Sequence, residues 1–127
     1  MPSNEEQNRS REFREASGSL SRRFCTLEYQ PRDLRRATPV ILLVLEHTNN
    51  GLHIFVQGDW RTIVQAEDVE YVESLLRDFR ERVELDSDAL FRQLSSLGVG
   101  PLVARQTGRH LSEHPALLEL CSRFVRL

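Results

Sequence analysis

The string His110-Leu111-Ser112-Glu113-His114 is the part of this chain most suggestive of chemistry. It matches H-x-x-E-H, in which two helical histidines hold zinc while the glutamate activates water. The spacing permits that role, but the context argues against it. Ser112 has the residue type of a helix cap, so His110 is expected to precede the helix rather than sit one turn below His114. A zinc hydrolase also needs a third ligand and an extensive cleft. The expected role is a surface histidine pair, and a small metal-dependent hydrolase using His110, Glu113 and His114 ranks third among the functional readings.

The other two histidines, His47 and His53, flank the turn Thr48-Asn49-Asn50-Gly51. A three-residue loop, 49–51, sets them opposite one another, whereas a two-residue loop, 50–51, sends them to opposite faces. Two histidines are in either case too few for a closed zinc site. Cys25 and Cys121 form no C-x-x-C pair and are read as reduced, buried thiols. The glycines at 98, 100 and 108 match neither G-x-G-x-x-G nor a GK[ST] loop, and no G-x-S-x-G elbow occurs. All 17 basic residues are arginine, so mechanisms that need an amine are excluded, including a Schiff base or a phosphate-loop lysine. No convergent catalytic constellation emerges. A non-enzyme without metal or cofactor is expected.

Two groups of residues suit recognition instead. Asp59-Trp60-Arg61 sets a carboxylate, a large aromatic and a guanidinium together at a turn, the residue types of interface hot spots. Arg22, Arg23, Arg32, Arg35 and Arg36 fall within fifteen residues and are opposed only by Glu28 and Asp33, a local excess of +3. Arginine forks suit phosphate or carboxylate, and Phe24 and Tyr29 are interleaved for stacking on bases. The remainder of the chain opposes a polyanion: residues 39–127 carry nine arginines against thirteen acids, and the whole chain is at −2. The first functional reading is therefore a non-catalytic protein-interaction or scaffolding domain, with homodimerisation through its sheet as one route. The second is Arg-mediated contact with nucleic acid or an acidic partner through residues 22–36.

The elements that must position these groups follow from periodicity. A chain of 127 residues with 39% hydrophobic content suits one domain. Residues 1–21 are polar and are read as a disordered tail, leaving 22–127 as a single α+β domain. No run approaches the roughly 20 apolar residues of a membrane span, and the first residues lack the pattern of a secretory signal, so a cytoplasmic location with no membrane partner is expected.

Alternation predicts a strand over 23–29, ended by Pro31. Val40-Ile41-Leu42-Leu43-Val44-Leu45 is apolar on both faces and must be covered on both, either by helices or by a second chain. The Asn-Gly turn leads to a return strand at 52–57, and a fourth strand, 60–65, completes a meander. Val69, Val72, Leu76, Phe79 and Val83 predict a helix over 66–84, with Glu73–Arg77 and Asp78–Arg82 as pairs on its outer face. Ser87 caps a second helix and Gly98 stops it. A strand over 101–105 follows, and then a helix with Pro115 in its first turn and Leu117, Leu118, Cys121, Phe124 and Val125 on its buried side. The predicted architecture is an antiparallel meander of about four strands plus one later strand, packed with three helices in the order ββββααβα.

Overall fold

The structure, a computed structural model, describes residues 23–35 and 38–127; the segment 1–21, Arg22 and Arg36 lie outside them. The α+β architecture is as expected. Five antiparallel strands form one sheet: β1 (Arg23–Tyr29), β2 (Val40–Thr48), β3 (Gly51–Gln57), β4 (Leu102–Gly108) and β5 (Phe124–Arg126). Their spatial order is β4-β1-β2-β3-β5. Among the described residues the helices are α1 (Trp60–Ile63), α2 (Ala66–Arg82), α3 (Ser87–Leu94) and α4 (Pro115–Cys121), with a 3-10 turn at Leu111–Glu113.

The two-faced strand β2 occupies the centre of the sheet, and the chain itself covers both its sides. Leu43 and Leu45 share a face with Cys25, Leu27, Ile54 and Val56, and α2 and α3 bring Val72, Leu76, Phe79, Leu90, Phe91 and Leu94 onto it. Val44 points the other way. There it joins Phe24, Leu111, Leu117 and Phe124 in a smaller cluster supplied by the 3-10 turn, α4 and β5. Thr26, also fully buried on this face, stays satisfied because its hydroxyl accepts from the Gln106 amide (3.1 Å) where the β1–β4 register slips. The cover that a second chain was one way of providing is thus internal.

Two predicted elements and two predicted caps are corrected by the structure. The expected fourth strand, 60–65, is the short helix α1. The Thr62 amide and hydroxyl both bond to Asp59 O (2.9 and 2.8 Å), so Trp60 and Val64 become neighbours on one turn, and both are buried. The last predicted helix ends at Cys121, where the Ser122 hydroxyl bonds back to Glu119 O (2.8 Å). The residues beyond it turn over to pair with β3, which buries Phe124 but leaves Val125 52% exposed and Leu118 44% exposed. Asp86, not Ser87, caps α3, through its carboxylate on the Ala89 amide (3.4 Å). Ser112 lies in the 3-10 turn and makes no capping bond there, and α4 starts at Pro115 instead.

At the hairpin, Thr48 pairs with Gly51 and the positive φ falls on Gly51 alone (112°), so Asn49 and Asn50 form the tip. His47 then pairs with Leu52 and His53 with Glu46, which places the two histidines on opposite faces.

Removing side-chain volume on either face should be costly. Leu45→Ala, on the larger core, is expected to lose about 3–5 kcal/mol and Leu117→Ala, on the smaller one, about 2 kcal/mol, read from denaturant unfolding. An unchanged midpoint for Leu117→Ala would show that α4 does not cover the second face.

Candidate functional site

Among the described residues the one fully buried carboxylate is Asp68, at the third position of α2. The Tyr29 hydroxyl, from the last residue of β1, donates to Asp68 Oδ2 at 2.5 Å and accepts from the Gln65 amide at 3.1 Å. Arg32 Nε sits 2.9 Å from Asp68 Oδ1. Gln65 adds a clasp to the loop after β1, accepting from the Arg32 amide (3.2 Å) and donating to Asp33 O (3.1 Å). Burial, reinforced by the bond to Asp68, pushes the Tyr29 phenol up to about 12. It therefore stays a donor at neutral pH, and the cluster binds β1, its following loop and the start of α2 into one unit.

The remaining reactive side chains are spoken for or muted. Burial pushes the Cys25 thiol up to about 11, and burial with the nearby Glu46 raises that of Cys121, so neither is a thiolate at pH 7. His47 Nε2 meets Asp88 Oδ1 at 2.7 Å, and its ring stacks on Phe91 (centroids 5.2 Å apart), which ties the hairpin to α3. His114 packs edge-on against Phe24 at 5.0 Å. Among the described residues no three of His, Cys, Asp or Glu are grouped to hold a metal ion. No helix among them is long and apolar enough to cross a membrane.

A charged recess lies between α2 and the β5 edge of the sheet. The floor there is Val56 and Val125, the wall is α2 with Arg77 and Arg80, and one end is closed by Trp60 and Arg61. This recess of about 320 Å³ adjoins a second of about 500 Å³ that runs toward the hairpin past His53 and Glu84. Arg80, Arg126 and Leu127 line both, so the two recesses adjoin along α2 and β5 and are together called the trough. The charged side chains on its α2 side are Arg61, Arg77 and Arg80 against Glu73 and Glu84, an excess of one positive charge, while Arg126, opposite Phe55 and bonded to His53, sends its guanidinium to the other face of the sheet.

Two of these cations are held in place. Arg61 lies over the Trp60 ring (4.6 Å to its centroid) and bonds Glu73 at 2.6 Å, taking the partner that helical spacing assigned to Arg77. Arg126 donates to His53 Nδ1 at 2.6 Å; a guanidinium can only donate, so the imidazole proton resides on Nε2. Arg77 and Arg80 have no ion-pair partner among the described residues.

Of the residues singled out from sequence, Trp60 and Arg61 fall at the trough, while Asp59 caps the short turn of α1 through its carbonyl. The arginine cluster is dispersed. Arg32 pairs with Asp68 and Arg35 with Asp33 (3.4 Å), Arg23 lies across the molecule beside Phe91 and Arg109, and Arg22 and Arg36 are outside the described residues. Sequence reasoning missed Arg77, Arg80 and Arg126. The i,i+3 spacing of the first two on α2 was the available signal; Arg126 was concealed by the helical reading of 115–125.

The buried phenol makes stability depend on pH in the alkaline range. The folded value lies above the ordinary 10, so the stabilisation is fully present below pH 10 and is lost as pH rises through 12. Denaturant unfolding across this range is expected to show a loss of roughly 2–3 kcal/mol. Tyr29→Phe should abolish that alkaline step while costing about 1.5–3 kcal/mol at pH 7. An alkaline step that persists in Tyr29→Phe would assign it to another group. No protein-family model matches this chain, and neither a curated protein nor a solved structure matches it.

Proposed function

We propose that this domain is a non-catalytic binding module that docks an acidic partner protein in the trough between α2 and β5. The observation that carries the reading is the pair Arg77 and Arg80, one helical turn apart on the trough wall, neither of them within ion-pair distance of a carboxylate among the described residues. A chain of net charge −2 that concentrates an excess of positive charge over an apolar floor has a surface complementary to carboxylates flanked by small apolar groups. Trp60 and the stacked Arg61 add the aromatic and guanidinium surface typical of interface anchors. Contact with nucleic acid through residues 22–36 is less well supported, since Arg32 and Arg35 are engaged by their own acids. Dimerisation through the sheet faces loses its motive, because β2 is covered within the chain.

Fluorescence anisotropy with a labelled acidic peptide tests the reading. At low ionic strength the parent domain should bind, and 0.3 M salt should weaken binding because the Debye length shrinks to about 6 Å or less. Arg77→Glu combined with Arg80→Glu should lose at least about tenfold in affinity, roughly 1.4 kcal/mol. Equal affinity in the double variant would overturn the proposal. So would preference for a single-stranded oligonucleotide over the peptide, which would assign the trough to phosphate.

A further inference from the structure

Taking the trough as an acid-binding site, we infer that its occupant is an extended segment of the partner protein that adds to the sheet as a sixth strand along β5, with acidic residues at every second position. The register fixes which backbone groups of β5 are free. Arg123 O accepts from the Gly58 amide (3.2 Å) and the Leu127 amide donates to Ile54 O (2.8 Å), while Val125 pairs with Val56. Residues 123, 125 and 127 therefore direct their backbone groups at β3. Phe124 and Arg126, between them, direct N–H and C=O outward, where no partner meets them among the described residues.

The opposite edge is taken up in part: on β4 the outward Ala104 amide is bonded to Leu97 O (2.9 Å). The outward groups of β5 border the trough.

Charge selects among strands that could pair there. A second copy docking β5 against β5 would set Arg77, Arg80 and Arg126 near their own counterparts, and this repulsion disfavours self-association. An acidic strand is attracted by Arg77 and Arg80, which stand over the face that its alternate side chains share. Side chains on one face of a strand recur every two residues, about 7 Å apart. Arg77 and Arg80, at i,i+3 on α2, have Cβ atoms about 5–6 Å apart, within reach of two successive carboxylates on that face. Val125, half exposed beside them, offers the apolar contact between the two charges.

The probe is a nine-residue peptide alternating Glu and Thr, compared with the same peptide N-methylated on the amides of one edge and then of the other. Strand addition predicts that one of the two methylated forms loses about tenfold in affinity while the other binds like the parent. It also predicts that saturating peptide slows hydrogen exchange at the amides of Phe124 and Arg126. If both methylated forms bind as the parent does and these two amides are unprotected, strand addition is wrong, although binding that still needs Arg77 and Arg80 would leave the acidic trough intact. Binding that is indifferent to the double charge reversal, or no binding of any peptide, overturns both.

Discussion

A central strand without a water-facing side imposes the layout of everything around it. Burying Leu42, Leu43 and Leu45 in the larger core and Val44 in the smaller one is worth about 1.5–3 kcal/mol per side chain, a sum comparable with the whole stability of a domain this size. One hydrogen-bonded neighbour on each side is needed to keep β2 from an edge, and two apolar layers are needed to sandwich it. The chain meets the first demand with β1 and β3, then with β4 and β5 outside them. It meets the second unequally, with two helices on one face and a single short helix and turn on the other.

That inequality is why the polar anchoring is concentrated where it is. The long helix α2 must be held at one angle over the sheet, and its entry is pinned by Tyr29, Asp68, Arg32 and Gln65 rather than by a side-chain cap. A carboxylate in the first turn is favoured by the helix dipole, and here it is also used to recruit a strand and a loop. The far end of α2 carries arginines that its own sheet does not neutralise. The same helix is therefore fastened to the fold by an acid at its start and presents bases along its later turns.

Patterns that depend on near neighbours were legible in the sequence, and those that depend on distant ones were not. The alternation of β1, the doubly apolar run of β2 and the 3.6-residue repeat of α2 all appear where they were expected. Trp60, Thr62 and Val64 alternate as a strand would, but Trp60 and Val64 also lie one helical turn apart, and the bonds to Asp59 select the turn. Phe124 and Val125 continue the spacing of α4, but the unpaired edge of β3 captures them. No local signal distinguishes these cases. The arginines of the trough were legible only as a solvated helix face, since the strand that makes that face a wall, β5, begins only at Phe124.

The late arrival of that strand has a bearing on how the domain comes into being. The hairpin of β2 and β3 joins residues close in sequence and can form early, whereas the second-face cover is drawn from residues 111–126. During synthesis, a chain that has already assembled its larger core still carries Phe24, Val44 and Phe55 uncovered. Residues 111–126 then act as a clasp, and the interval before it closes is the period in which this domain is most exposed to mispairing and most dependent on whatever shields nascent chains.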